Sequence, residues 1–256
     1  MEDKAKPIGD KSTLARRRFL QKLGLLGAVT ATSSYTLLEV SAKANTATPN
    51  GVTTDHRWGL LIDTSKCSSG CDACVHGCNE EHGIDASGDD LTRAQWIRKI
   101  DLQDNLSGRE SSVPVMCQHC DSAPCVDVCP TGASFKRADG IVLVNKHTCI
   151  GCRYCMMACP YKARSFIHEV LTEQKPAAPR GKGTVESCTL CVHRVDKEAD
   201  LQPACAVACT DEAHSAILFG DLNNDESAIS QKISEIGAGE VRADLKLNTG
   251  VRYHGL

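Results

Sequence analysis

Apolar residues along this chain come in short runs set off by turn residues. Trp58 to Asp63 reads Trp-Gly-Leu-Leu-Ile-Asp, a buried-strand pattern too short for a helix. Ser134 to Arg137 and Ile141 to Asn145 predict two more strands, joined by Ala138-Asp139-Gly140, where Asp-Gly is a hairpin turn signal. Ala163 to Ile167 and Ala216 to Phe219 repeat the pattern, and Val251 to Tyr253 forms a last extended piece. Helical periodicity runs from Glu226 to Ile236. Gln174 to Gly183, rich in Pro, Gly and Ala, predicts an exposed loop. The chain therefore reads as an α+β fold of short elements with long loops.

The first 44 residues read as an address rather than as part of that fold. Arg16, Arg17 and Arg18 precede Phe19 and Leu20, and Leu23 to Leu38 is apolar but diluted by Gly24, Gly27, Thr30, Thr32, Ser33 and Ser34. Ala42-Lys43-Ala44 supplies a small-x-small cleavage site. The arrangement resembles a twin-arginine export signal, which sends proteins across the membrane already folded. It predicts a mature chain starting near Asn45 and a periplasmic location. Cleavage would carry away eight Lys or Arg and four Asp or Glu, moving the formal charge from -3 to -7. A mildly acidic domain excludes the polybasic footprint of a nucleic-acid binder and a basic patch for lipid headgroups.

The length of 256 residues is that of one or two domains, but aromatics are only 4%, so a large aromatic core is not what organises them. Sixteen cysteines, all between Cys67 and Cys209, supply the alternative. They fall into four groups of four: Cys67, Cys71, Cys74 and Cys78; Cys117, Cys120, Cys125 and Cys129; Cys149, Cys152, Cys155 and Cys159; Cys188, Cys191, Cys205 and Cys209. Group three with Pro160 reads Cys-x2-Cys-x2-Cys-x3-Cys-Pro, the bacterial ferredoxin run for a [4Fe-4S] cluster. Group two, ending in Cys129-Pro130, differs by one longer step, so the two read as a duplication. In two-cluster ferredoxins the fourth cysteine of each run ligates the other cluster. Cys117, Cys120 and Cys125 are then expected to share a cluster with Cys159, and Cys149, Cys152 and Cys155 to share one with Cys129. The same crossing pairs Cys67, Cys71 and Cys74 with Cys209, and Cys188, Cys191 and Cys205 with Cys78.

Three other uses of the thiols compete. Disulfides suit an exported chain, yet a mature domain of this size needs no stapling, and repeated x2 steps fit metal loops better. Group four alone has the spacing of a zinc ribbon, which makes a zinc-scaffolded structural or binding module the alternative class. Cys67-x3-Cys71-x2-Cys74 has the spacing of the radical S-adenosylmethionine motif, but Cys78 adds a fourth thiol and the chain is short for the usual barrel. His119 and His193 are placed to donate hydrogen bonds to cluster sulfur; His56, His76, His82, His147, His168, His214 and His254 read as surface or structural residues. Gly70, Gly77 and Gly151 suit close approach of backbone to the clusters. No Ser/His/Asp set, phosphate-cradling glycine loop or acid-base carboxylate pair stands out, so no catalytic residue is assigned.

The four-group order, the arginine-rich start and Cys117-Gln118-His119-Cys120 resemble the four-cluster iron-sulfur subunits of the dimethyl sulfoxide reductase type. Leu61-Ile62-Asp63-Thr64-Ser65-Lys66-Cys67 and Cys188-Thr189-Leu190-Cys191-Val192-His193-Arg194 resemble the phrases flanking the first and fourth groups in that family. With the export signal, the DsrO-type periplasmic subunits of the membrane complex accompanying dissimilatory sulfite reductase are the narrower match. The chain departs from the pattern in the x3 step after Cys67 and in Thr210, where proline often follows. The resemblance implies four [4Fe-4S] clusters and a non-catalytic electron-transfer role in sulfur metabolism. It also implies an integral membrane subunit handling quinone, and a c-type cytochrome or other redox subunit, as partners. The implied architecture is two ferredoxin-like lobes: residues 45-110 with 184-256 holding groups one and four, and an inserted 111-183 holding groups two and three.

Overall fold

In the computed structural model, which describes residues 52–85, 92–172, 174–197, 202–212 and 214–256, the expected first strand forms as β1 (Trp58–Asp63). The arginines, apolar stretch and cleavage site expected below residue 45 lie outside the described residues. β1 is the middle of a three-stranded sheet, between β8 (Ile217–Asp221) and β9 (Val251–His254). β8 runs antiparallel with Leu60 opposite Phe219, and β9 parallel with Ile62 opposite Tyr253. Burial on both faces explains the unbroken apolar run of Leu60, Leu61 and Ile62. The last strand thus belongs to the centre of the fold, and it reaches group two: Gly250 N–H donates to the Gln118 carbonyl, and Gln118 Nε2 donates to the Tyr253 hydroxyl.

The Asp-Gly hairpin forms as β4 (Ser134–Lys136) and β5 (Val142–Val144), with Phe135 opposite Leu143. It is shorter than predicted, although Arg137 N–H still donates to the Ile141 carbonyl across the turn and its side chain forks onto Asp139 and Asp196. Of the strand expected over Ala163 to Ile167, Ser165–Phe166 pairs as β6, with β7 (Val185–Glu186). A longer hairpin, β2 (Ile97–Gln103) with β3 (Glu110–Met116), was not legible in the pattern. Its outer half is solvated, so charged residues interrupt the alternation, and Pro114 stands within β3.

Among the described residues six short helices carry most of the remaining order: α1 (Ala73–His82), α2 (Pro124–Asp127), α3 (Tyr154–Ala158), α4 (Val192–Val195), α5 (Ala204–Asp211) and α6 (Ala228–Ile236). α6 begins two residues later than expected because Ser227 takes the N-cap, its hydroxyl accepting from Ser230 N–H. α5 continues through Thr210, whose hydroxyl bonds the Ala206 carbonyl, where a proline would have ended it. α1 and α5 pack closely: a Cβ added at Gly77 would sit 2.7 Å from that of Ala208. Gly77 therefore lets α1 and α5 pack closely.

The segment read as an exposed loop, 174–183, is a largely exposed loop held by two buried residues. Ala178 and Arg180 are buried, and Arg180 forks onto the fully buried Glu186 while Nη1 donates to the Gly83 carbonyl. A buried carboxylate needs such a partner, and the pair fixes the chain between groups three and four.

Candidate metal centres

The four cysteine groups share a local conformation. The residue just before the second cysteine of each group has positive φ: Gly70 at 81°, His119 at 44°, Gly151 at 70° and Leu190 at 54°. Left-handed residues in such turns direct successive N–H groups into a concavity that favours negative charge. Two of the four are not glycine, and a strained backbone of this kind persists only where its surroundings over-determine it. Pro124 at the start of α2 and the αL cap residue Arg153 before α3 then set the next thiols, Cys125 and Cys155, at helix starts.

Thiols from different groups come together. Cys117, Cys120, Cys125 and Cys159 line one cavity with Tyr161 and Arg164. Cys129, Cys149, Cys152 and Cys155 line a second, open at the exposed Cys152. Cys67 and Cys74 lie within electrostatic reach of both Cys71 and Cys209, and Cys78 within reach of Cys188, Cys191 and Cys205. The helices explain the last two sets: α1 presents Cys74 and Cys78, and α5 presents Cys205 and Cys209, each pair one turn apart on packed helices. The sets also adjoin one another, with Cys205 near Cys74, Cys188 near Cys117, and Cys125 near Cys155.

Most of these sulfurs are sealed from water, and burial pushes the thiols of Cys74, Cys117 and Cys120 up to about 12 and that of Cys191 up to about 11. Cys78, Cys188 and Cys205 are raised further for the same reason. Such thiols ionise only toward a metal. Backbone donors already face them: N–H groups of Val185, Leu190, Ala204 and Ala216 reach Cys149, Cys188, Cys191 and Cys209 at 3.3 to 3.4 Å. Burial also raises Cys129, but hydrogen bonds from Ser134 N–H and the Thr131 hydroxyl outweigh it and leave the thiol lowered.

All sixteen cysteines are free thiols, which removes the disulfide reading. A zinc ion would draw four sulfurs to about 3.8 Å of one another, as bond lengths near 2.3 Å require. Among the described residues no three His, Cys, Asp or Glu side chains are gathered closely enough to hold one ion. Eight of the thiols instead line two cavities, four to each, which fits cubanes reaching four sulfurs through four irons. Buried donors without protein partners add to the fit: Arg164 Nε and Nη1, and His119 Nε2. Val142 N–H donates to His119 Nδ1 at 3.0 Å, which places the ring proton on Nε2; burial pulls the imidazole down to about 3, keeping it neutral.

The other expected histidine does not face sulfur: His193 Nε2 meets Glu81 Oε1 at 2.6 Å. His82, read as surface or structural, lies with Nε2 3.4 Å from Cys191 Sγ, its ring against Trp96. Burial pulls this imidazole down to about 4. The available signal was helical spacing, since Cys74, Cys78 and His82 recur every four residues on α1. Arg164, which donates to Cys125 Sγ at 3.0 Å, had no such signal.

Residues 110–221 match the family described as the 4Fe-4S dicluster domain. The Hdr-like menaquinol oxidoreductase iron-sulfur subunit 1 of Archaeoglobus fulgidus is 35% identical over 94% of this chain and 97% of its own. The chain belongs to the iron-sulfur subunit family of the dimethyl sulfoxide reductase type. A putative dimethyl sulfoxide reductase iron-sulfur subunit from Halobacterium salinarum is 39% identical over 70% of this chain and 71% of its own. A tetrathionate reductase subunit from Salmonella typhimurium is 34% identical over 86% and 79%. The cofactors of this iron-sulfur subunit are [4Fe-4S] clusters, four by its sixteen cysteines. The domain match takes in groups two, three and four, and an alignment over 94% of the chain necessarily spans group one as well. The fold of the subunit is accordingly a small mixed helix and strand structure with a ferredoxin-type dicluster domain.

Proposed function

We propose that the chain is a periplasmic electron-transfer subunit that relays electrons between a quinone-handling membrane subunit and a second redox partner, such as a c-type cytochrome, in a sulfur-metabolism complex. Its clusters supply one-electron chemistry. The chain supplies spacing, hydrogen bonds and a dry surround that set their potentials. Cys117, Cys120, Cys125 and Cys159 ligate one cluster, and Cys149, Cys152, Cys155 and Cys129 a second. Cys67, Cys71, Cys74 and Cys209 ligate a third, and Cys188, Cys191, Cys205 and Cys78 a fourth. The first two sets form the inserted lobe, 111-183, and the last two the outer lobe, 45-110 with 184-256.

The observation that carries this reading is the adjacency of the four thiol sets in a row. Cys205 adjoins Cys74, Cys188 adjoins Cys117, and Cys125 adjoins Cys155, so one end of the row is the first group and the other is the exposed Cys152. A row with two ends is what a relay needs. The Archaeoglobus relative's name, that of a menaquinol oxidoreductase subunit, supports the quinone side. Names that include tetrathionate reductase and dimethyl sulfoxide reductase support sulfur compounds. Among the described residues no helix is long and apolar enough to cross a membrane.

Anaerobic iron and sulfide analysis of the purified chain is expected to return about sixteen irons and a brown protein; mostly zinc in a colourless one overturns the reading. Location has its own test. Changing Arg16 and Arg17 together to Lys is expected to strand the precursor inside the cell, whereas normal export and processing near Ala44 of the double variant would exclude the twin-arginine route.

A further inference from the structure

Arg164 is a buried cation that touches a thiol of one inner set, Cys125, and acts by its charge on a thiol of the other, Cys155. Nη2 donates to Cys125 Sγ at 3.0 Å and to Ser134 Oγ at 2.8 Å. The guanidinium charge acts on Cys117 as well as on Cys155. The side chain is 5% exposed. Nε and Nη1 are buried without protein partners, and the strongest favourable charges on the group are the sulfurs of Cys125, Cys117 and Cys155. A buried cation needs anionic compensation, and buried donors need acceptors. Neither requirement is met by a carboxylate here. Both are met by thiolates and by the sulfur of clusters held between them.

We propose that Arg164 is a positioning residue shared by the two inner clusters, a fixed counter-charge that raises the reduction potential of both together. This rests on the ligand sets proposed above. The guanidinium offers five N–H groups in a rigid plane; Nη2 is taken by Cys125 and Ser134, which leaves Nε and Nη1 for neighbouring sulfur. Ser134 locks it in place: its hydroxyl accepts from Arg164 while its N–H donates to Cys129, a thiol of the second of the two sets. A charge placed between two one-electron centres stabilises the reduced form of each. Because both move the same way, the step between them stays nearly level while both rise relative to the outer pair.

The test uses the full chain, purified anaerobically with its clusters, as wild type, Arg164→Gln and Arg164→Lys. Iron is counted first and the four midpoint potentials are then read by redox titration followed by electron paramagnetic resonance. With iron as in wild type, Arg164→Gln is expected to lower two potentials by at least tenfold in the one-electron equilibrium, about 59 mV each, leaving the other two in place. Arg164→Lys, which keeps the charge and loses the fork, is expected to lower the same two by less. Fully loaded Arg164→Gln with unchanged potentials, or with one shifted alone, overturns the proposal, as does Arg164→Lys shifting them as far as Gln. Should Arg164→Gln fail to load, Arg164→Lys decides: two lowered potentials support the role and wild-type potentials refute it. A wild-type chain without iron would instead refute the cluster reading itself.

Discussion

A Cys129→Ser chain is expected to lose the cluster held by the third cysteine group, not the one held by its own. Cys129 lies twenty positions before Cys149 in sequence, yet borders the cavity of Cys149, Cys152 and Cys155. Cys117, Cys120 and Cys125 line theirs with Cys159 instead. Serine replaces a soft thiolate with a hard oxygen that binds iron poorly, so the expected loss is about four irons, one cluster's share of the sixteen. Electron paramagnetic resonance identifies which: the Cys129→Ser spectrum is expected to match that of Cys152→Ser and differ from that of Cys120→Ser. The reverse match would mean that each run closes on its own cluster.

Gly151→Ala is expected to damage the same site from the backbone. Gly151 has φ of 70°, and an added Cβ would lie 2.2 Å from the carbonyl oxygen of Gly183. The left-handed conformation alone costs alanine about 1–2 kcal/mol. The collision adds to it, because Gly183 cannot yield without moving Val185, whose N–H donates to Cys149 Sγ and whose carbonyl accepts from Lys146 Nζ. Gly70→Ala separates the two effects. Its φ is 81° but nothing lies within 4 Å of the added carbon, so strain alone applies. Thermal unfolding should therefore place Gly151→Ala well below Gly70→Ala, and iron analysis should show a cluster deficit in the former. Equal losses would remove the contact with Gly183 from the account.

Strong local signals survived into the structure. The Asp-Gly hairpin, the strand before Cys67 and the capped helix ending at Ile236 each depend on residues within a few positions of one another, so turn chemistry and periodicity sufficed. The hairpin of β2 and β3 escaped because its solvated half carries charge and its alternation breaks, leaving pairing across the ladder to decide it.

At the metal centres the division is sharper. The sequence by itself determined how many thiols there are, how they are grouped, and that their spacing asks for [4Fe-4S] clusters, because a loop of two intervening residues can present neighbouring thiols only to a common centre. The crossing of each fourth cysteine to another group was already an expectation of the ferredoxin pattern; that His82 rather than His193 meets a thiol, and that Arg164 reaches Cys125, only the tertiary structure decided. Those placements depend on how α1 packs on α5 and how β6 pairs with β7. Such contacts join residues far apart along the chain, and their energy comes from burial that no local pattern records.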